Sequence, residues 1–218
     1  MPPPAGHGLL VGLVIDLNDP EHLGRVKVSY PELGDARSDW ARLVTPMAGK
    51  HRGMVFRPEK GDEVLVGFLQ GDSRAPYVLG AVWNAPDPPP PDDGKPAENN
   101  WRFITSRSGH VIRFDDTPGK EKIEVIDKGK KCSVTIDSTS DQITVKAGSG
   151  GIKLSAPDGA ITLSGKTIEL DATTSLKAKA GQGVELTAGT SLKAEAGTTL
   201  STTAGQKVTI RGLTVDIN

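Results

Sequence analysis

The sequence lacks the features that build several common classes of protein. It contains one cysteine, Cys132, so no disulfide can form within the chain. No apolar run approaches the roughly 20 residues that a membrane-spanning helix needs. The N-terminus has neither the charged segment nor the apolar segment of a secretory signal. We therefore expect a protein that is made in the cytoplasm without a signal peptide.

Aromatic residues and net charge are also scarce. The chain has three Trp, two Tyr and four Phe, and all of them precede residue 115. This distribution disfavours a second globular core in the C-terminal half. The formal net charge is −1, so no basic field attracts nucleic acid or anionic membrane. The sequence predicts a globular front followed by a slender C-terminal part.

The C-terminal part consists of a repeat of eight residues. A large aliphatic residue recurs at positions 176, 184, 192, 200 and 208, and glycine recurs at 181, 189, 197 and 205. Within each octad, apolar or small residues alternate with polar ones, which is typical of short strands with one dry and one wet face. The glycine after each strand allows a positive φ, so the chain can turn a corner there. Fixed-period repetition of this kind indicates an elongated architecture.

An isolated octad cannot fold, because the few side chains that it buries do not offset the entropy lost on ordering it. Either one chain coils on itself with three octads per turn, or three chains wrap around a common axis. The apolar set of each octad is small, which favours the narrow shared axis of a trimer. The expected core of that trimer consists of Ile152, Leu154, Ile161, Leu163, Ile168, Leu170, Leu176, Val184, Leu186, Leu192, Leu200, Val208 and Ile210.

The sequence of the N-terminal part of the chain predicts a small β-barrel. Five short apolar runs separated by turn residues occupy 9–15, 26–30, 40–44, 64–69 and 77–82, and a five-stranded OB-fold barrel suits them. The full prediction is an all-β protein in which an OB barrel is followed by an intertwined trimeric β-helix, or β-prism, stem. We assign residues 1–8 to a flexible leader, 9–85 to the OB domain, 86–100 to a proline-rich linker, 101–130 to neck strands and 131–218 to the stem.

No arrangement of residues indicates catalysis, a cofactor or a metal. The four histidines lack metal-ligand spacing, and His110 is interpreted as structural. Asp115 and Asp116 are adjacent, so their side chains point opposite ways on a strand, and we interpret them as solvated turn acids rather than a glycosidase pair. Residues 159–167 resemble a phosphate-binding loop but have one residue too many between the glycines. Cys132 is interpreted as a small residue at a strand start. We expect no enzymatic activity.

Several blocks of the sequence resemble a known family. Residues 24–28, 40–49, 58–68 and 76–80 resemble the OB domain of phage baseplate assembly protein V and of VgrG-type spike proteins. Residues 108–123 resemble the neck of those proteins, and the octads resemble their triple-stranded β-helix. The resemblance implies a homotrimeric spike below the tube of a contractile injection machine, with a hub or baseplate protein at its OB end. Such a spike punctures the target envelope when a sheath contracts, as part of a virion tail or an injection particle.

The sequence also departs from relatives in that family. Neither a hub-like domain before the OB region nor a lysozyme-like domain after it is recognisable, so we expect no muramidase activity. No histidine follows His110, which disfavours the iron-binding apex of some phage spikes. We expect the end of the stem to bind a PAAR-type tip protein through Leu213, Thr214, Val215, Asp216, Ile217 and Asn218.

Two other functions remain open at this point. A trimeric receptor-binding or polysaccharide-binding tail protein would share the β-rod, but the octads carry no aromatic residue for a sugar. An OB-fold nucleic-acid binder with an oligomerising tail would use residues such as Arg25, Lys27 and Tyr30, although the neutral charge balance argues against it. Whether the machine is a phage, a tailocin or a cellular injection system is left open.

Overall fold

Alternating apolar residues produce an all-β structure. The computed structural model describes residues 8–216, and these contain thirteen strands and two short 3-10 helices, at Pro31–Leu33 and Leu69–Gly71. They divide into two units, with the boundary between Lys153 and Leu154. Among residues 8–216, no helix has the length and apolar character that crossing a membrane requires.

The first eight strands form the N-terminal domain. Their order in the sheet is β3-β2-β1-β7-β8-β4, with β5 and β6 paired separately as a small hairpin. The strands are β1 (Leu9–Asp16), β2 (Lys27–Tyr30), β3 (Ala36–Arg37), β4 (Arg42–Leu43), β5 (Ala48–Gly49), β6 (Arg52–Gly53), β7 (Glu63–Phe68) and β8 (Pro76–Ala81). Each of the five predicted runs overlaps one of the strands β1, β2, β4, β7 and β8.

The ends of this sheet meet. The short strand β4 pairs in parallel with β8 on one side, through Arg42 and Leu43. On its other side, Ala41 makes an antiparallel bridge to Val26, just before β2. The pairing therefore runs from β2 through β1, β7, β8 and β4 back to the start of β2. This closure is that of the predicted five-stranded OB barrel.

The barrel core comes from the inward positions of these strands. It consists of Leu10, Val14, Val26, Val28, Tyr30, Ala41, Val64, Val66 and Val78. In β1, Gly12 occupies the inward position between Leu10 and Val14. A Cβ added there would lie 2.7 Å from the Ser29 carbonyl oxygen, 3.2 Å from the Tyr30 ring and against the Val28 side chain. Glycine at position 12 thus lets β2 pack directly against β1.

Five further strands form an antiparallel sheet in the order β13-β12-β11-β10-β9. Between β8 and this sheet, the described residues 82–100, which include the proline run, contain no helix or strand. The strands β12 and β13, placed in the stem by the sequence analysis, pair in sequence with β11. The strands are β9 (Trp101–Thr105), β10 (Val111–Asp115), β11 (Lys122–Ile126), β12 (Ser133–Asp137) and β13 (Gln142–Lys146). We call this five-stranded sheet the neck sheet.

The second unit contains the octads. Its described residues, 154–216, contain no strand, bridge or helix and are exposed except for Ala156. Bends recur every eight residues, at 173, 181, 189, 197, 205 and 213, and four of these positions are the predicted glycines. Those glycines do not adopt a positive φ, however, because the glycines with positive φ in the described chain end at Gly151. The chain bends at the predicted glycines without using the positive φ that glycine allows, and the eight-residue period is present in the backbone.

Candidate assembly surfaces

The neck sheet carries one almost wholly apolar face. Cross-strand pairing aligns its side chains in two rows, because residues paired in antiparallel strands lie on the same side of the sheet. The first row runs Ile104, Ile112, Val125, Val134 and Val145. The second row runs Arg102, Phe114, Ile123, Ile136 and Ile143. We call these ten residues the apolar neck face.

The apolar neck face is largely open to solvent in the single chain. Its nine apolar side chains are between 37% and 68% exposed. A concavity of about 600 Å³ lies on the same surface, with Ile112, Val125 and Val134 in its wall and His110, Cys132 and Ile152 also lining it. A contiguous apolar surface of this kind marks a contact with another molecule.

The opposite side of the neck sheet is held by a partly buried charge pair. Arg113 on β10 donates to the carboxylate of Glu124, its direct partner on β11, with the Nε–Oε2 distance at 2.9 Å. The Arg113 guanidinium also stacks over the Trp101 ring, 3.9 Å from its centroid. These contacts join the three adjacent strands β9, β10 and β11. The sheet is therefore stabilised from its polar side while the apolar neck face stays free.

Of the two adjacent acids that were predicted to be solvated, Asp116 is exposed but Asp115 is buried. Asp116 is exposed and pairs with Arg102 at 2.6 Å. Asp115 instead is buried and accepts hydrogen bonds from the Thr117 backbone N–H at 3.0 Å and the Thr117 hydroxyl at 2.5 Å. Burial by itself raises the pKa of Asp115, but these hydrogen bonds outweigh it and hold the pKa below the ordinary aspartate value. Asp115 thus orders the turn between β10 and β11.

His110 and Cys132 lie in the hairpins that close the neck sheet. His110 Nδ1 accepts a hydrogen bond from the Lys128 backbone N–H at 3.1 Å, which ties together two neighbouring loops. The exposed Cys132 precedes β12, and its backbone N–H donates to Asp127 at 2.5 Å. Within residues 8–216, no three His, Cys, Asp or Glu side chains cluster as metal ligands would. Both residues have structural contacts in the loops.

The predicted trimer-core residues have no partners of their own in the single chain. Their side chains, from Ile152 to Ile210, are between 49% and 73% exposed. On the alternate positions, Lys193 and Glu195 form an ion pair at 2.7 Å, as expected for residues two apart on the same wet face. Leu192 and Ala194 therefore share the other face. That these residues meet at a trimer axis stays a prediction.

The predicted tip-binding residues fall at the limit of the described chain. Leu213, Thr214, Val215 and Asp216 are exposed, and a bend lies at Leu213. Ile217 and Asn218 lie outside the described residues. Tip binding stays a prediction.

Comparison with known proteins identifies the type of the N-terminal domain. Residues 10–83 match the family described as the type VI secretion system/phage-baseplate injector OB domain. These residues contain all of the barrel strands except Leu9 and every residue of the barrel core.

Individual relatives extend the similarity beyond the barrel. The type VI secretion system spike protein VgrG1b of Pseudomonas aeruginosa is 29% identical over 131 residues, which cover 55% of this chain and 18% of that protein. VgrG4b of the same organism is 32% identical over 114 residues, which cover 48% of this chain and 14% of that protein. The actin cross-linking toxin VgrG1 of Vibrio cholerae is 32% identical over 111 residues, which cover 47% of this chain and 10% of that protein. The chain thus matches less than a fifth of each of these relatives, and the resemblance to the baseplate V and VgrG-type proteins is confirmed.

Proposed function

We propose, from the premise that this chain is a spike- or baseplate-type protein of the VgrG kind, that it is the structural spike of a contractile injection machine. Three copies would assemble with their OB domains at the hub and their octads wrapped into one β-prism. The observation that carries the proposal is the regular series of exposed aliphatic side chains behind an injector-type OB domain.

The apolar neck face supports association between copies. Its side chains are arranged in two rows on one side of the sheet, and an exposed apolar surface can be covered by an identical surface related by rotational symmetry. The polar side of the same sheet is already stabilised by Arg113 and Glu124. Copies of the neck sheet would therefore meet through the apolar neck face and keep their polar sides outward.

The backbone of the octads supports the same conclusion. The described residues 160–216 make no backbone hydrogen bonds among themselves. Extended backbone gains a ladder of hydrogen bonds when strands from another chain lie beside it, and its dry face is then buried at the same time. A chain that coiled on itself with three octads per turn would instead pair residues about 24 positions apart. The lack of any such bridge in residues 154–216 favours partners from other chains over the self-coiled alternative.

The proposed work of the protein is mechanical rather than catalytic. About ten octads, stacked at the strand spacing of roughly 4.8 Å, would give a prism on the order of 50 Å long. Each chain's hydrogen bonds would be made to the other two, so no chain could unfold alone. A sheath supplied by other proteins would drive this stiff prism through the target envelope.

The distal end of the prism would carry a separate tip protein. Three copies of the segment 213–218 would present a small, flat surface of alternating apolar and polar residues, suited to a PAAR-type protein. Removing residues 213–218 should abolish capture of such a protein in a pull-down while the trimer persists. Capture that survives the truncation would contradict the docking site.

Replacing Leu192 tests the proposed stem. Leu192→Asp would place three like charges close to one axis in a trimer, where they are poorly solvated, and should block assembly. The matched control is Ser201→Asp, which adds the same charge at a polar position of the next octad. Light scattering after size exclusion should show a loss of the trimer for the first variant only. A thermostable trimer of Leu192→Asp would show that Leu192 does not face the axis.

A further inference from the structure

A second apolar concavity lies on the OB domain. It has a volume of about 640 Å³ and lies between the loop that joins β1 to β2 and the segment from β4 to residue 57. Its apolar lining includes Leu23, Val44, Met54, Val55 and Phe56, all of them exposed. Exposed aliphatic and aromatic side chains grouped around a groove are the usual composition of a protein-binding site. We call this concavity the OB groove.

The apolar wall of the OB groove is held in place. The Thr45 hydroxyl donates to the Met54 carbonyl at 2.7 Å, and the Met54 backbone N–H donates to the Met47 carbonyl at 3.0 Å. These bonds close the β5–β6 hairpin and fix the segment that presents Val55 and Phe56. A surface ordered before binding loses less entropy when a partner binds.

The rim of the OB groove is positively charged. No Asp or Glu occurs from residue 40 to residue 58, whereas that stretch contains Arg42, Lys50, Arg52 and Arg57. Arg42 and Arg57 line the groove, and within residues 8–216 neither forms an ion pair. The nearby Arg25 differs, because it is paired with Asp19 at 2.7 Å. Arg42 donates to the Tyr77 hydroxyl through Nη1 at 3.3 Å, so its other N–H groups and the Arg57 guanidinium are available to carboxylates of a partner.

We infer that the OB groove binds an extended segment of a separate protein in which large apolar side chains alternate with carboxylates. The inference rests on the proposed function, which it deepens by naming the chemistry of the partner at the OB end. The apolar side chains would fill the groove and the carboxylates would pair with Arg42 and Arg57. A protein segment suits the groove better than single-stranded nucleic acid, since Phe56 is the only Phe, Tyr or Trp in its lining and does not form a series of stacking platforms.

Binding of a simple peptide tests the inference. We would label a capped ten-residue peptide of alternating Glu and Leu and measure its fluorescence polarisation against the full chain. The Glu/Leu peptide should bind, and a Lys/Leu peptide of the same length should not. Arg42→Glu with Arg57→Glu should weaken binding by about tenfold or more, and so should Phe56→Ser, because each removes one half of the recognition. Arg37→Glu, a charge reversal on β3 away from the groove, is the matched control and should leave binding unchanged.

Three results would overturn the inference. One is equal binding of the Glu/Leu and Lys/Leu peptides, and another is unchanged binding by the Arg42 and Arg57 double variant. The third is tight binding of oligothymidylate or of phosphatidylglycerol vesicles by a chain that does not bind the Glu/Leu peptide. Measuring the solution mass of each protein as well distinguishes a failure of the groove inference from a failure of the proposed function. A trimer that fails to bind the peptide refutes the groove alone, whereas a monomer that binds it refutes the spike alone.

Discussion

Gly12 shows how one residue without a side chain determines the packing of the barrel. It is inward-facing on β1, where the alternation of Leu10 and Val14 would lead one to expect another large side chain. The space that a side chain would need is occupied by Val28, the Ser29 carbonyl and Tyr30 of β2. This close approach could not be predicted from the sequence, because a glycine within an apolar run is equally compatible with a bulge, a bend or a close approach.

Substituting Gly12 should therefore destabilise the barrel. Gly12→Ala forces its new methyl group against backbone as well as side chains, and we expect a loss of at least about 2 kcal/mol in the free energy of unfolding. Gly80→Ala is the matched control, because a Cβ at that strand position meets nothing within 4 Å. Its effect should stay within about 1 kcal/mol. Urea unfolding of both variants gives the comparison, and equal stabilities would contradict the packing described for β1 and β2.

Asp19 organises the loop between β1 and β2 from a buried position. It accepts hydrogen bonds from the Arg25 side chain at 2.7 and 3.1 Å and from the backbone N–H groups of Glu21, Leu23 and Arg25. The hydrogen bonds from the Arg25 guanidinium, and those from the backbone, hold the pKa of Asp19 far below the ordinary aspartate range. The charged form is thus the one that the folded loop stabilises.

The lowered pKa of Asp19 predicts that the stability of the fold decreases in acid. The folded pKa lies below the unfolded one, so the stabilisation is complete above the ordinary aspartate pKa of about 4 and is lost as the pH falls below it. In wild type, the urea midpoint should drop more steeply between about pH 5 and about pH 3 than in Asp19→Asn. Asp35→Asn, at an exposed turn position, should retain the wild-type slope. Parallel slopes for wild type and Asp19→Asn would refute the role of the charge.

At the scale of elements, the sequence predicted which residues form strands better than which strands pair. The five barrel strands followed from alternation and turn residues, and the barrel closure followed from their number. The pairing of β12 and β13 with β11 did not, because alternation reports which side chains share a face and is the same in a hairpin and in an intertwined stem. For this reason the apolar neck face, which needs the register of all five strands, was not predicted.

The apolar neck face makes its own prediction. Val125 lies near the middle of that face and is about half exposed in the single chain, so Val125→Asp should leave the sheet folded but prevent copies from meeting. Thr105→Asp puts the same charge on the opposite side of the sheet and should still assemble. Circular dichroism would report folding, and light scattering would report mass. Normal assembly of Val125→Asp would show that another surface joins the copies.

At the scale of the whole molecule, the repeat and the OB domain together determine the functional conclusion. The OB domain alone is a fold that many functions share, and the octads alone would suit any fibrous protein. The order of both in one chain suggested the spike from sequence, and the match of residues 10–83 to the injector OB domain now supports it. The apolar neck face and the OB groove emerged only from the structure, because each brings together residues that are far apart in the chain.

The solution mass of the full chain tests the central claim most directly. We would measure it by light scattering after size exclusion, together with thermal unfolding. The proposed spike predicts a mass of about 69 kDa, three times the 22.9 kDa of one chain, with an extended shape and a high melting temperature. A folded species of 22.9 kDa would contradict the intertwined prism and leave the exposed aliphatic series without the partner chains that the account requires.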